Sequence, residues 1–498
     1  MSTLTRADWE ARAKALKIEG RALIHGEHCN AVSGETFDCI SPVDGRFLTK
    51  VASCDAADAE LAVRDARATF ESGVWSRMTP VERKKIMIRF ADLMDAHAEE
   101  LALLETLDMG KPISDALGVD VPGASRAIRW SGEAIDKIYD EVAATPHNEL
   151  GLVTREPVGV VAAIVPWNFP MIMTCWKLGP ALATGNSVIV KPSEKSPLTA
   201  IRMAQLALEA GIPAGVLNIL PGFGHTVGKA LALHMDVDTL VFTGSTKIAK
   251  QLMIYAGESN MKRVWLEAGG KSANIVFADA PNLQDAAEAA AAAICFNQGE
   301  MCTAGSRLLV ERSIKDQFMP MVLEAMKGWK AGYALDPATK VGALVDGGHL
   351  NTVLSYIEAG HADKAKLLCG GKRVLEETGG VYVEPTIFDD AHNDMRIAKE
   401  EIFGPVLTVI PFDTTEEAIA IANDSIYGLA AAIWTSNLSK AHLAAKALRV
   451  GSMWVNQYDG GDMTAPFGGF KQSGNGRDKS LHAFDKYTEL KTTWLRVD

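Results

Sequence analysis

Short unbroken apolar runs recur along this chain, each bounded by glycine or proline and separated from the next by a helical segment. Gly159 to Val165, Ser187 to Val190, Thr239 to Phe242, Asn274 to Phe277, Leu308 to Val310 and Val406 to Pro411 are of this kind. A strand with one wet face alternates apolar and polar residues, whereas a continuous β-branched run needs cover on both faces. Helices between the runs supply that cover, so the pattern predicts an α/β chain with parallel sheets. The longest run, Val158 to Val165, suits a buried strand. It falls well short of the ~20 apolar residues of a membrane span, and no membrane partner is expected.

The helices carry their own start and stop signals. Thr79-Pro80-Val81-Glu82 reads as a capping box with proline at the first helical position. Ile86, Phe90, Leu93, His97 and Leu101 follow on one face at helical spacing, which makes His97 a helix-face residue, not a ligand. Ser196-Pro197 opens another helix, which stops at Gly211 ahead of Pro213. Ala286 to Ile294 is nearly all alanine around Glu288, the composition of a tightly packed helix. Two strand-like stretches, Leu150 to Arg155 and Tyr487 to Val497, stand apart from the alternation. Exposed strand edges tend to pair. These two are expected to form a projecting sheet for contact between copies of the chain, in a dimer or a dimer of dimers.

A length of 498 residues corresponds to about three domains at ~150 residues each, which excludes a single short binding module. With 48% hydrophobic and 22% charged residues, the composition excludes disorder, collagen and coiled coil. A net charge of −12 lacks the basic footprint of a nucleic-acid binder, so no nucleic acid is expected as a partner; a local groove for phosphates remains compatible. Seven cysteines are scattered at 29, 39, 54, 175, 295, 302 and 369, with no CxxC pair. That odd, unpaired set predicts reduced thiols in a cytosol-like compartment, with neither a disulfide framework nor a metal site. Met1 to Lys17 carries Arg6, Glu10 and Arg12 without an apolar core. No signal peptide is expected, and the expected location is the cytoplasm.

Five stretches carry candidate chemistry. Cys302 lies in Asn297-Gln298-Gly299-Glu300-Met301-Cys302-Thr303-Ala304-Gly305. Free thiols are commonly buried and structural, but small polar residues and glycines flank this one. A thiol on such a loop is accessible and open to activation as a thiolate. Cys295, in an apolar context, suits the structural role better. Glu267 follows Val264-Trp265-Leu266 and precedes Ala268-Gly269-Gly270-Lys271. That is a carboxylate at a strand end, where ligands bind in open α/β sheets; it is either a base tuned by a partly apolar site or a surface turn residue. Asn168, in Val165-Pro166-Trp167-Asn168-Phe169-Pro170, follows a strand directly. Its amide is either an oxyanion donor or the anchor of an Asx-turn. In Val190-Lys191-Pro192-Ser193-Glu194 the acidic residue can accept from a ribose 2′-OH, and Lys191 can contact ribose or phosphate. Phe242-Thr243-Gly244-Ser245-Thr246 joins a strand to a helix and can meet a pyrophosphate. The chain has no GxGxxG: Gly244 to Ala249 reads G-S-T-K-I-A, and Gly222-Phe223-Gly224 runs on to Val227.

Together these motifs resemble the aldehyde dehydrogenase superfamily, from about Ile24 to Trp494. The most specific parts are Leu266-Glu267-Ala268-Gly269-Gly270-Lys271 and Gly299-Glu300-Met301-Cys302, with Glu267 and Cys302 35 residues apart. Pro166-Trp167-Asn168-Phe169-Pro170, Lys191-Pro192-Ser193-Glu194, Phe242-Thr243-Gly244-Ser245 and Glu401-Ile402-Phe403-Gly404-Pro405 occur in the family's order. Asp462-Met463-Thr464 through Gly476-Arg477-Asp478-Lys479-Ser480 resembles bacterial γ-glutamyl-γ-aminobutyraldehyde and other ω-aminoaldehyde dehydrogenases.

The resemblance implies a Rossmann-type NAD-binding domain (1–135 and 156–267), an α/β catalytic domain (268–475) and a small β oligomerisation element (136–155 and 476–498). It implies Cys302 as nucleophile, Glu267 as base for the deacylating water, and Asn168 as oxyanion donor with Lys177 behind it. Trp167, Lys191, Ser193, Glu194, Gly224, Phe242, Gly244 and Ser245 would hold NAD, with Glu401 on the nicotinamide ribose and Phe403 packed near it. Glu194 would repel a 2′-phosphate, so NAD is expected over NADP, an effect tempered by Lys191. Ala249 stands where the family often has glycine, and Ala268 where it often has leucine. The implied substrate wall is Val119, Trp130, Phe169, Met173, Trp176, Met301, Thr303, Asp459 and Phe467. The nearest subgroup implies γ-glutamyl-γ-aminobutyraldehyde or another ω-aminoaldehyde, its ammonium met by Asp459 or Asp462. The aromatic and methionine wall suits arylalkyl aldehydes such as indole-3-acetaldehyde or phenylacetaldehyde. Glu267 counts against a CoA-acylating relative, and Cys302, Glu267 and Asn168 together count against a catalytically silent scaffold.

Overall fold

The computed structural model describes residues 4–497. All six runs form strands, and all six strands are parallel to their sheet neighbours along the run. Val160–Ile164, Ser187–Lys191, Leu217–Ile219, Thr239–Thr243 and Arg263–Glu267 make the parallel part of the first sheet. Numbered along the chain, their spatial order is 3-2-1-4-5. The order reverses between Val160–Ile164 and Thr239–Thr243, and in open α/β sheets the crevice beyond the carboxyl ends at that point takes the ligand. A hairpin, Ala22–Ile24 with Glu27–Cys29, extends the far edge in the antiparallel sense.

The second sheet places Thr386–Asp389, Val406–Phe412, Arg307–Glu311, Ala273–Val276, Ala430–Trp434 and Ser452–Val455 side by side in parallel, with Lys366–Cys369 antiparallel at one edge. Glu267 is the last residue of a strand in the first sheet, and Ala273 begins a strand of the second. The short link between them therefore carries the Gly269-Gly270 turn from one sheet to the other. The alanine-rich helix runs over Leu283–Cys295, capped by the Asn282 side chain, and buries Ala286, Ala287, Ala290, Ala291 and Ile294. It ends where the Cys302 loop begins.

The two isolated strands pair with each other: Thr488–Arg496 lies antiparallel to Glu149–Pro157 along its whole length, and Glu141–Ala143 flanks the other side. Thr488–Arg496 is the outer strand, and Leu490, Trp494 and Leu495 on it are exposed.

Two expectations need correction. The helix face Ile86, Phe90, Leu93, His97, Leu101 does not belong to one helix: Pro80–Ala96 ends and Ala98–Met109 begins at His97, whose φ of −102° and ψ of 22° break the run. His97 Nδ1 sits 3.0 Å from Glu100 Oε2, and Arg202 approaches the same ring. Side-chain partners thus hold the break. The capping box is also only half formed. Thr79 Oγ1 accepts from the Glu82 N–H, but the Glu82 carboxylate takes the Thr79 hydroxyl at 2.6 Å in place of the Thr79 N–H.

Candidate active site

Cys302 lies on the loop between the Leu283–Cys295 helix and the Arg307–Glu311 strand. The loop turns sharply: Asn297, Gln298 and Gly299 are all left-handed, with φ of 49°, 56° and 72°. Side-chain-bearing residues rarely adopt that conformation, at a cost of about 1–3 kcal/mol each, unless their surroundings hold them. Here a buried network does so. Asn297 Nδ2 donates to the Asn168 carbonyl and the Glu300 carbonyl, both at 3.0 Å, and Asn168 Nδ2 donates to the same Glu300 carbonyl at 2.9 Å. The Glu300 carboxylate, fully buried, accepts from the Val345 N–H at 2.9 Å. An amide NH2 carries two donors, so one N–H of Asn168 remains for a ligand.

The Glu267 segment reaches this loop through close backbone approach. A Cβ on Gly270 would come within 2.2 Å of the Cys302 carbonyl, and one on Gly269 within 2.0 Å of the Glu401 carboxylate. Only glycines fit there. Glu401 Oε1 accepts from the Gly270 N–H at 2.9 Å. Burial pushes its carboxyl up to about 7, against the pull of that bond and of Lys271. Glu267 is buried, and among the described residues neither carboxylate oxygen finds a hydrogen-bond partner. Burial first, and the Asp478 charge second, raise its carboxyl well above the usual range; Lys177, Lys486 and Arg477 oppose this. Its carboxylate packs toward Gly468 and Gly476, where added Cβ atoms would come within 2.7 and 3.2 Å. It is not part of the cavity wall.

No hydrogen bond among the described residues links Lys177 to Asn168. Lys177 is buried in an ion pair with Asp478, which also holds Lys486, and its charge acts on Glu267. Cys302 is half-buried. Its thiol is pushed up by burial and then by Glu401, Asp459 and Glu267. Burial and these carboxylates therefore oppose activation as a thiolate, and attack requires loss of the thiol proton.

A cavity of about 850 Å³ opens at the carboxyl ends of the first sheet. Asn168 and Cys302 line it, together with Trp167, Gly244, Ser245, Glu401, Phe403, Val119, Phe169, Met173, Trp176, Met301, Thr303, Asp459 and Phe467. Trp176 is the only residue of the Pro170–Ala183 helix that is not buried; it meets Phe467 edge-on, with ring centroids 5.2 Å apart. Trp130 is absent from the wall: it faces Phe484, 6.3 Å away, and packs into the core.

Residues 29–493 match the Aldehyde dehydrogenase family. The chain is 56% identical over 492 residues to the NADP/NAD-dependent aldehyde dehydrogenase PuuC of Escherichia coli (strain K12), covering 99% of each chain. The chain belongs to the aldehyde dehydrogenase family. Among solved structures of the family, the C302A mutant of P. syringae AldA, an indole-3-acetaldehyde dehydrogenase in complex with NAD+ and IAA, superimposes with a TM-score of 0.99 at 79% identity, over 99% of this chain and 100% of that one. The γ-glutamyl-γ-aminobutyraldehyde dehydrogenase of Burkholderia cenocepacia J2315 does so with a TM-score of 0.98 at 60% identity, over the same shares.

As an aldehyde dehydrogenase the chain is an NAD(P)-dependent oxidoreductase, and its residues fit the dinucleotide. The Thr243-Gly244-Ser245 turn sits at the amino end of the Thr246–Gly257 helix, and the buried Thr243 hydroxyl has no partner among the described residues. Helix amino ends favour phosphate. The carboxylate of Glu194 is ion-paired with the buried Lys191 at 3.1 Å. Ser193, Glu194, Lys191, Gly224 and Phe242 lie outside the cavity; the Phe242 ring is buried beneath Gly244. Phe403, left-handed at φ 58°, is held by His349 Nε2 donating to its carbonyl at 2.6 Å, and its ring meets Trp167 edge-on at 5.1 Å. His349 and Lys486 escaped the sequence reading, and Asp478 entered it only within the run Gly476 to Ser480, without a role. No spacing marks them, because they come from segments that meet only in the fold. Among the described residues no helix is long and apolar enough to cross a membrane.

Proposed function

We propose that Cys302, Asn168 and Glu267 carry out aldehyde oxidation through a thioester. The observation that carries this reading is a half-buried thiol in the wall of a cavity it shares with an open amide N–H. Cys302 Sγ attacks the carbonyl carbon, forming the C–S bond as the carbonyl π bond opens onto oxygen, and the thiol proton leaves to solvent. The Asn168 amide donates to the oxyanion. Bound NAD supplies the acceptor for the hydride that leaves the thiohemiacetal carbon. Glu267, whose raised proton affinity suits it to the task, then takes a proton from water, which attacks the thioester; the C–S bond breaks, the acid leaves, and the proton returns to the Cys302 sulfur. Reaching a water at the thioester from its seat beside Gly468 requires the Glu267 side chain to turn. Residues 1–135 and 156–267 form the NAD-binding domain, which also contributes Asn168 and Glu267 to the chemistry, 268–475 the catalytic domain, and 136–155 with 476–498 the oligomerisation element.

The substrates are aldehydes with a hydrophobic arylalkyl tail, such as indole-3-acetaldehyde or phenylacetaldehyde. The edge-on Trp176–Phe467 pair and the Met173 and Met301 side chains support this. Replacing Phe467 by alanine should raise KM for phenylacetaldehyde roughly tenfold, about 1.4 kcal/mol, and leave acetaldehyde within about twofold. Equal shifts for both would show that the ring is packing. A second reading, γ-glutamyl-γ-aminobutyraldehyde or another ω-aminoaldehyde, is favoured by Asp459 and Asp462 in the outer wall.

The chain assembles as a dimer or a dimer of dimers. The exposed outer strand Thr488–Arg496, with Leu490, Trp494 and Leu495 turned to solvent, supports this. Light scattering at micromolar concentration should give a mass of at least two chains; a single-chain mass would contradict it.

A further inference from the structure

We infer that Lys479 is a specificity-determining residue that reads the far end of the aldehyde, favouring tails that end in both a carboxylate and an ammonium over tails that end in an ammonium alone. This rests on the reading above that the cavity takes the aldehyde.

Lys479 lines the cavity together with Asp459 and Asp462. Its Nζ lies 4.9 Å from the Trp176 ring centroid and 5.9 Å from that of Phe467. No carboxylate closes an ion pair on it among the described residues; Asp459, Asp462 and Asp478 act on it only at a distance. Asp478 is already held by Lys177 and Lys486. Asp459 takes only the Thr303 hydroxyl, at 3.2 Å. Asp462 accepts from the Thr464 N–H at 2.9 Å. The outer wall thus presents one ammonium, Lys479, and two carboxylates, of which Asp459 is the one left without a backbone N–H, and no ion pair joins them among the described residues.

The backbone aims Lys479 there. Lys479 and Ser480 are consecutive left-handed residues, with φ of 59° and 49°, a conformation that side-chain-bearing residues populate sparsely. Bonds on both sides hold it. Asp478 and Phe467 exchange backbone N–H bonds at 2.7 and 2.8 Å, and the Ser480 N–H donates to the Met463 carbonyl at 2.7 Å. An outlier held this firmly beside a ligand cavity points to a use for the side chain.

Charge decides what fits. A tail ending in an ammonium alone reaches Asp459 only by bringing a second cation beside Lys479, which disfavours both. A tail ending in a carboxylate alone meets Lys479 but also Asp459. A tail carrying both groups satisfies both walls. A neutral aromatic tail stacks on Trp176 and Phe467 beneath the cation.

The test compares three aldehydes with the full-length enzyme and NAD: one ending in an α-amino acid group, one ending in a trimethylammonium group, and phenylacetaldehyde. The unmodified enzyme should favour the amino-acid tail over the trimethylammonium tail in kcat/KM. Lys479→Met, which keeps the apolar stem, should lower kcat/KM for the amino-acid tail about tenfold, mostly through KM. It should raise kcat/KM for the trimethylammonium tail, and Lys479→Arg should restore the original ranking. A preference of the unmodified enzyme for the trimethylammonium tail would overturn the inference, as would equal losses on all three in Lys479→Met. If phenylacetaldehyde is oxidised but the charged tails rank the other way, only the role of Lys479 falls. If none of the three is oxidised, the reading of the cavity falls with it.

Discussion

Replacing Cys302 by alanine is expected to cut NAD-linked aldehyde oxidation by at least ~10⁴-fold, because nothing else in the cavity can form and release an acyl group at that position. Cofactor binding should survive. The loop is held by Asn297, Asn168 and Glu300, none of which needs the sulfur. Titration with NAD, followed by tryptophan fluorescence, should give a Kd close to that of the unmodified enzyme, since Trp167 lines the cavity. Turnover above about 1% of the original rate would remove Cys302 from the nucleophile's role. The raised thiol also fixes the direction of the pH dependence. Attack needs the deprotonated sulfur, so kcat/KM should rise with pH over the neutral to alkaline range.

Glu267→Gln should separate the two halves of the reaction. The amide keeps the shape of the carboxylate but accepts no proton from water, so hydrolysis of the thioester should slow by about 10²–10⁴-fold. Rapid mixing with excess phenylacetaldehyde and NAD should then give a burst of NADH close to one equivalent per active site, followed by a slow steady state. Deacylation at the original rate would show that another group activates the water. The pH profile adds a second check. Burial and Asp478 raise the Glu267 carboxyl; a base with a raised proton affinity is protonated, and inactive, as pH falls. Deacylation by the unmodified enzyme should therefore decline on acidification from the alkaline side, and Glu267→Gln should flatten that limb.

The sheets were legible in the sequence because each core strand is buried on both faces. Val160–Ile164 and Ser187–Lys191 have no exposed residue, so their apolar runs are continuous and stand out. Glu267, Asn168 and the Thr243-Gly244-Ser245 turn were legible for a related reason: each lies at or just beyond the carboxyl end of a strand of the first sheet. The break at His97 was not legible. It depends on Glu100 and on Arg202, and the latter comes from a helix far along the chain. The surroundings of Glu267 were hidden in the same way, since Lys177, Asp478 and Lys486 converge from two distant segments. Trp130 shows the reverse error. Its residue type suits a substrate wall, but its helix turns it toward Phe484.

The central claim is that the acyl group passes through Cys302, and trapping it tests that most directly. Glu267→Gln enzyme, mixed with phenylacetaldehyde and NAD and quenched in acid within the burst, should be digested and analysed by mass spectrometry. The peptide carrying Cys302 should gain the mass of one phenylacetyl group in place of the thiol hydrogen, in proportion to the NADH formed. A burst of NADH with no adduct on that peptide, or with the adduct on another cysteine, would contradict the account.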